Sequence, residues 1–379
     1  MLLHPAALHD LGTLDRALLY VFVAGPGNGE GLAVALPHTG WLVVDGCHVA
    51  DEKLPLLEIL ETWRDPAEAV DCLALTHPHR DHAAGIRRLI EETRPRYVAL
   101  SAPPSNPTRA FAVADDPRQV TPTTGRQRIS RAVDALRAIR RYWEECPQSE
   151  LCLVDGEVIP TSSSRVTVKV CAPQLDHLEE ALERAARSKQ LAERPNEISA
   201  VIEVTFGATR LVLGSDLPAI DYAGKPIRGG WADVLSRYVE LGQHKGLKLP
   251  HHGSRYAFHP DLHTEGQDRA WWIAPFNQGQ RLPPMDADGI PGLVSRNKQV
   301  LMTSLPRSRE EQEPLAAPAV FSIADLPALF SPANAAAPSA MSSSPGDLEP
   351  LDPIWCVAFD DRNAIAGAWR GRYALSLVE

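Results

Sequence analysis

The chain has 379 residues, 44% of them hydrophobic, with 38 Lys and Arg against 48 Asp and Glu for a formal charge of −10. That length sustains one large domain or two ordinary ones, and its apolar runs are strand-sized, which excludes a membrane-spanning helix. So acidic a chain is a poor footprint for gripping duplex nucleic acid broadly, although a local basic groove remains compatible with it.

In chain order, Met1-Leu2-Leu3-His4-Pro5 lacks a basic region followed by an apolar core, so secretion is not indicated and a cytoplasmic location is expected. The six scattered cysteines form no Cys-x-x-Cys pair and read as reduced thiols, with Cys47, Cys72 and Cys171 in or beside apolar runs. Residues 15–46 read as three strands, Ala17–Ala24, Leu32–Leu36 and Trp41–Val44, with Gly-rich turns between them. Gly25-Pro26-Gly27-Asn28-Gly29-Glu30-Gly31 lacks the Gly-Lys-Ser/Thr ending of a phosphate-binding loop and reads as a hairpin turn. Apolar residues at 54, 56, 57, 60 and 63 predict a helix over Leu54–Trp63.

Cys72–Leu75 then reads as a buried strand and Ala83–Glu92 as a helix. Between them stands Thr76-His77-Pro78-His79-Arg80-Asp81-His82. Three histidines and an aspartate within six positions at a strand end are what a metal site looks like in sequence. The turn lets alternate residues converge, and imidazole with carboxylate suits zinc, iron or manganese.

Tyr97–Leu100 is a further strand, and Pro103–Gly125, rich in Pro, Thr, Ser and Asp, a long surface loop. Gln127–Glu145 has helical spacing and carries Arg128, Arg131, Arg137, Arg140 and Arg141. That run is either a solvated face or a basic wall for a phosphate-bearing substrate. Val166–Cys171 alternates as a strand, Leu175–Ala192 is an amphipathic helix capped by Asp176, and Ser199–Phe206 with Thr209–Leu213 form a hairpin ending in Gly214-Ser215-Asp216. A helix over Gly230–Leu241 precedes the short strand Leu247-Lys248-Leu249, which delivers Pro250-His251-His252-Gly253-Ser254; Ala270–Ala274 is another strand. After Gln299–Ser304, Ala, Pro and Ser dominate residues 312–353, and Trp355–Phe359 with Ala364–Trp369 read as a closing hairpin.

This alternation predicts an α/β fold, an αββα sandwich of two mixed sheets flanked by helices with the metal motifs at strand ends. The expected organisation is a catalytic domain over 1–310 with an inserted loop and helix at 103–145, a linker-like segment at 311–353, and a C-terminal hairpin at 354–379 packing on the domain.

His77-x-His79-x-Asp81-His82 resembles the metal-binding signature of the metallo-β-lactamase superfamily. The resemblance implies two divalent metal ions, zinc or manganese foremost. His77 and His79 serve one, Asp81 and His82 the other, and Asp216 bridges them. The last ligand comes from the His251-His252 pair, where His251 is favoured and His252 is the alternative. Asp45, closing Trp41-Leu42-Val43-Val44-Asp45-Gly46, is implied to steady a ligand; on spacing alone an ordinary turn Asp reads as well.

Lys248-x-x-His251-His252-Gly253-Ser254 and the stretch from Asn196 to Asp216 resemble more specifically the metallo-β-lactamase domain of competence proteins of the ComEC type. This likeness covers roughly residues 15–275. Gly214-Ser215-Asp216 carries one residue more than that pattern, and the early Gly-rich turn departs from it. Lactamase-type sites have a further His midway between the first motif and the bridging Asp. Between His82 and Asp216 this chain has only His177, which reads as an ordinary helix residue with the ligand role as its alternative.

Together these readings point to metal-dependent hydrolysis, with Asp81, Asp216 and Lys248 as catalytic candidates. Asp81 can orient the attacking water as well as bind metal. Lys248, Ser254 and Arg255 are candidates to meet substrate oxygens, and Arg131, Arg137 and Arg140 to hold a nucleic-acid backbone. The ComEC-like features imply a phosphodiesterase or nuclease acting on DNA or RNA. The alternatives are a hydrolase of a small ester, thioester, lactam or cyclic nucleotide, and a non-catalytic binding protein that keeps the fold. The expected partner is nucleic acid or a phosphate-containing small molecule, with no membrane.

Overall fold

Two nine-stranded sheets lie face to face in the computed structural model, which describes residues 3–25, 29–48, 53–107, 110–111, 120–123, 126–129, 131–188, 195–266, 268–274, 290–304, 320–322 and 351–378. The first runs Ala6–Ala7, Ile365–Arg370, Ile354–Phe359, Leu19–Ala24, Gly31–Ala35, Trp41–Asp45, Val70–Leu75, Tyr97–Leu100, Glu150–Cys152. The second runs Val158–Ile159, Val166–Ala172, Val201–Phe206, Thr209–Leu213, Gly246–Lys248, Ala270–Ile273, Gln299–Met302, Leu375–Val378, Val320–Ser322.

Each sheet is antiparallel where hairpins join its strands and parallel where helical segments cross over. Trp41–Asp45, Val70–Leu75, Tyr97–Leu100 and Glu150–Cys152 are parallel, as are Thr209–Leu213, Gly246–Lys248, Ala270–Ile273 and Gln299–Met302. Parallel neighbours need such crossovers, and the loops after their carboxyl ends are where an open sheet of this kind gathers a site.

Period-two alternation sorts the side chains. Val21, Val23, Leu42, Val44 and Ala74 of the first sheet meet Val168, Val170, Val204, Leu211 and Trp272 of the second in the central core. The other face of the first sheet, through Phe22, Val43 and Leu73, packs on Leu56, Ile59, Ile86, Leu89, Leu136 and Ile139 of the helices Pro55–Trp63, Ile86–Thr93 and Arg131–Glu145. Val212, Leu247 and Trp271 likewise carry Val234, Leu235 and Leu293 outside the second sheet. Each large side chain so buried contributes roughly 1.5–3 kcal/mol. The four-layer αββα arrangement expected from the alternation is the one found.

Several boundaries differ for local reasons. The helix after the histidine turn starts at Ile86, because Ala83 bridges to Gly46 and Gly85 sits at φ 84°. Arg126–Ile129 pairs with Val120–Thr123, so the Arg-bearing helix begins at Arg131. Gly230–Leu241 divides into an α-helix, Trp231–Arg237, and a 3-10 turn, Val239–Gln243. The helix Ile290–Asn297 and the strands Glu150–Cys152, Val158–Ile159 and Leu375–Val378 carried no signal that the sequence reading used. The C-terminal hairpin is an integral part of the first sheet rather than packed upon it. Ile354, Cys356 and Ala358 face the helices while Trp355, Val357 and Phe359 face the central core, and burial on both faces requires an interior position.

Most of the linker-like stretch 311–353 and of the Pro103–Gly125 loop lies outside the described residues. The six cysteines are free. Among the described residues no helix is long and apolar enough to cross a membrane.

Candidate metal centre

The strand Val70–Leu75 ends at Thr76, whose small hydroxyl side chain is a hub. Its N–H and Oγ1 donate to Asp45 Oδ1 at 2.8 and 2.9 Å, and Oγ1 lies 2.6 Å from Ser215 Oγ. Thr76 O accepts from Ser101 Oγ and Ala200 N, so both sheets are fastened at this residue. The next six residues form a tight turn, with His79 N donating to His77 O at 2.9 Å and Ala83 N to His79 O at 2.9 Å. This folding back brings His77, His79, Asp81 and His82 together.

Asp45 closes its strand at φ 59° and is buried. Its Oδ2 accepts a hydrogen bond from His82 Nδ1 at 2.8 Å, which turns His82 Nε2 toward Asp216 Oδ1 at 3.3 Å. His77 Nδ1 faces the hydroxyls of Thr76 and Ser215 at 3.2 and 3.4 Å, which leaves Nε2 pointing inward. Asp216 follows the strand Thr209–Leu213 and the left-handed Ser215 at φ 43°, while His251 and His252 follow Gly246–Lys248 at φ 49° and 57°. With Asp45, four of the nine described non-glycine residues with positive φ thus border this one site. Backbone held in that region is strained, and the surrounding hydrogen bonds hold it there.

Donor atoms from two groups converge within 4.8 Å of one another: His77, His79 and Asp216 in one, and Asp81, His82, Asp216 and His252 in the other, with Asp216 common to both. His77 Nε2, His82 Nε2 and Asp216 Oδ1 are buried without a hydrogen-bond partner. Buried polar atoms are ordinarily paired, and three that are not, aimed at one another, fit a cation as their missing partner.

The electrostatics agree. Burial pushes the Asp216 carboxyl up, but His82, His252 and His251 outweigh it and hold the group well below the usual carboxylate range. Burial pulls His252 down, yet Asp216 and Glu30 raise it to about 10. Burial and the neighbouring His82 hold His77, which has hydroxyls rather than a carboxylate at Nδ1, well below its ordinary value. A pocket whose carboxylates draw protons onto its histidines is one that attracts cations.

The residues foreseen from sequence fall into place unequally. His252, not the favoured His251, joins the converging group. Its Nδ1 is tied to Ala274 O at 2.7 Å and its Nε2 faces Asp81 Oδ2 at 3.4 Å, whereas His251 Nε2 lies 3.3 Å from Asn196 Nδ2 and 3.9 Å from Asp216. The two successive left-handed residues turn the second ring, rather than the first, into the centre.

Lys248 is fully buried and ion-paired to Glu30, so it does not reach a substrate. His177 stands apart from both groups, in a cavity of about 390 Å³ lined also by Glu180, Arg184, Glu197 and Arg228, and its ring packs on Gly229. Ser254 caps the turn Arg255–Ala257, and Arg255 is exposed over the Tyr256 ring at 5.0 Å. Arg131 Nη2 reaches His48 Nε2 at 2.6 Å, near the end of the Asp45 strand, while Arg140 pairs with Glu144.

Sequence reasoning missed Glu30, Thr76 and Ser215 as parts of the centre. Glu30 was hidden by its Gly-rich turn. Gly29 has φ 131°, and a Cβ there would lie 2.2 Å from Asp81 O, so glycine is what lets this turn dock on the metal motif. Glu30 N then donates to Asp81 O at 3.1 Å.

Residues 27–142 match the family model described as Metallo-beta-lactamase superfamily. No curated protein matches the chain. Among solved structures the chain is similar to a metallo-β-lactamase from Staphylococcus aureus subsp. aureus COL, at 12% identity and TM-score 0.31 over 59% of this chain and 51% of that one. It is similar also to Zn(2+)-bound PqqB from Methylobacterium extorquens, at 13% identity and TM-score 0.34 over 62% and 73% of the two chains. A β-lactamase domain protein from Burkholderia ambifaria follows, at 14% and 0.35 over 62% and 68%. The chain thus spans about half the length of the first of these. The fold is the metallo-β-lactamase fold, and residues 27–142 lie in a domain of that superfamily.

Proposed function

We propose that this metallo-β-lactamase fold is a metal-dependent hydrolase that cleaves phosphodiesters, with nucleic acid as the first candidate substrate. The observation that carries the hydrolase reading is the pair of converging His/Asp groups that share Asp216 and hold buried donor atoms without partners. In this reading His77, His79 and Asp216 hold one divalent cation, and Asp81, His82, Asp216 and His252 the other. Bound there, such cations supply Lewis acidity and a water of lowered pKa.

The chain's own contribution is rigidity and orientation. Asp45 and Thr76 fix the His82 ring, the Ser215 hydroxyl stands at His77 Nδ1, and Asp81 is seated against Gly29 and Glu30 by its carbonyl. Asp81 and Asp216 stay ionised and so could hold a cation and accept hydrogen bonds from its water. Both are buried and flanked by histidines that hold their carboxyls well below the ordinary range.

The rim supports the choice of substrate. Arg255 is exposed beside Tyr256, and the exposed Tyr222 meets Tyr256 edge-on with ring centroids 5.0 Å apart. These residues follow Asp216 and His252 closely in the chain, and in this reading they form an aromatic and cationic edge to the centre. Such an edge suits a phosphate with a base to stack. The ion pair Arg140–Glu144 thins the positive face of the Arg-bearing helix, which favours the second reading, hydrolysis of a small phosphate ester or other small ester.

The test is hydrolysis by purified protein, stripped of metal and then given manganese, zinc or nothing. The substrates are single- and double-stranded DNA, RNA, a generic phosphodiester, a thioester and a lactam. Metal-dependent cleavage of the phosphodiesters is expected. Turnover of the thioester or lactam alone would overturn the substrate, and no uptake of transition metal would overturn the reaction class.

A further inference from the structure

We infer that Glu30 and Lys248 form a buried positioning pair for the metal centre, in which Glu30 holds the His252 ring and Lys248 cancels the charge that Glu30 brings. The inference rests on the metal-holding role proposed for His252. Both side chains are wholly inaccessible, and Lys248 Nζ bonds Glu30 Oε1. The other carboxylate oxygen, Glu30 Oε2, lies 3.1 Å from His252 Nδ1, which is also 2.7 Å from Ala274 O. Ala274 O accepts the Nδ1 proton and the Glu30 carboxylate stands beside it, so Nε2, which faces Asp81 and Asp216, is the nitrogen that would give up its proton and offer a lone pair to a cation at the centre. The backbone ties the same turn to the first sheet's half of the site, through Glu30 N to Asp81 O.

Charge explains why a lysine accompanies the glutamate. Asp45, Asp81, Asp216 and Glu30 are four buried carboxylates at the centre, and Lys248 is the buried ammonium paired with Glu30. Without Lys248, four carboxylates would match the four charges of two divalent cations and leave nothing for an anionic substrate. With it, Glu30 is neutralised, three carboxylates remain, and one positive charge is left for the anion. A carboxylate is kept beside the His252 ring and its field is cancelled. Burying such a pair is tolerated only when each member has its partner, so removing one strands the other.

Competition with a chromophoric zinc chelator, without substrate, reads the pair directly. In Glu30→Gln the lone ammonium repels the cations, and zinc affinity should fall by about 10–100-fold. In the double variant Glu30→Gln/Lys248→Met the charge is balanced again, and most of that loss should be recovered. Lys248→Met alone should keep zinc but raise KM for an anionic phosphodiester more than it lowers kcat. Near-UV circular dichroism monitors folding. Should Glu30→Gln not fold, Glu30→Asp, which keeps the charge and shortens the reach, is read in its place and should bind zinc more weakly. Wild-type zinc affinity in folded Glu30→Gln or Glu30→Asp overturns the inference, as does a double variant no better than the single one. Failure of the wild-type protein to take up zinc would instead remove the reading of the centre itself.

Discussion

The first sheet brings His77, His79, Asp81 and His82 to the centre on one continuous turn, whereas the second sheet needs two separate loops, one for Asp216 and one for His252. The first half is held by many hydrogen bonds within a few residues and through Asp45 and Thr76. The second is aimed by single left-handed residues, Ser215 before Asp216 and the pair at His251 and His252. Local chain geometry therefore specifies one half and long-range packing the other, and the two should respond differently to damage.

The largest effect is expected at the residue both groups share. Asp216→Ala should empty both groups, with a loss of metal affinity exceeding the roughly 10–100-fold that outer partners command. Elemental analysis after dialysis measures it, and retention of half the metal would mean that the groups are independent. Next comes the choice within the second half. His252→Ala should lower zinc affinity as severely as His82→Ala, while His251→Ala should leave metal content unchanged; the reverse ranking would show that the loop turns its first ring inward in solution.

Within the first half, Thr76→Val keeps the shape but removes the hydroxyl that Asp45 and Ser215 share. It should cost about 1–3 kcal/mol in urea unfolding, because a buried carboxylate is left short of a donor.

These unequal halves also explain what could be read without coordinates. Spacing alone made the turn from His77 to His82 legible, since neighbours in sequence that converge in space leave a signature. The two-sheet sandwich was legible from the succession of strand and helix segments along the chain. His251 and His252 are adjacent and chemically alike, and only the left-handed backbone at both positions decides between them. Glu30 meets His252 across more than half the chain, at a register set by hairpin pairing and by the close approach that Gly29 allows. No local pattern encodes either outcome.

A pH-dependent effect distinguishes the outer layer of the second sheet. His244 is buried and neutral, accepting from Trp271 Nε1 at Nε2 and donating from Nδ1 to Leu241 O; burial, then Arg269, lowers it to about 3. The unfolded chain binds that proton near pH 6.5 and the folded chain does not. Stability is therefore full above 6.5 and declines as pH falls toward 3, by up to roughly 1.4 kcal/mol per pH unit for one proton. His244→Asn should flatten the acid limb of the stability curve, and an unchanged slope would assign it to other groups.

The smallest effect is expected on the Arg-bearing helix. Replacing Arg131, Arg137 and Arg140 with Gln should raise KM for DNA or RNA and reduce the salt dependence by about one unit of slope for each phosphate no longer held. A small phosphodiester should be cleaved as before. Equal losses on both substrates would indicate a folding defect, and no loss on either would favour the small-substrate reading.

The hairpin made by Ile354–Phe359 and Ile365–Arg370 sits beside the strand Leu19–Ala24, and Pro353 O accepts from Gly25 N at the start of the turn that carries Glu30. A nascent chain leaving the ribosome presents Leu19–Ala24 hundreds of residues before its neighbour exists. Until residues 354–359 emerge, that apolar strand has an open edge, a template for pairing with the wrong chain. Co-translational assembly can build the histidine turn early, but the anchoring of the Glu30 turn waits until residues 353–359 have been made. A truncated product ending before residue 354 should thus be prone to aggregation and slow to acquire metal, even with every candidate ligand already present in its sequence.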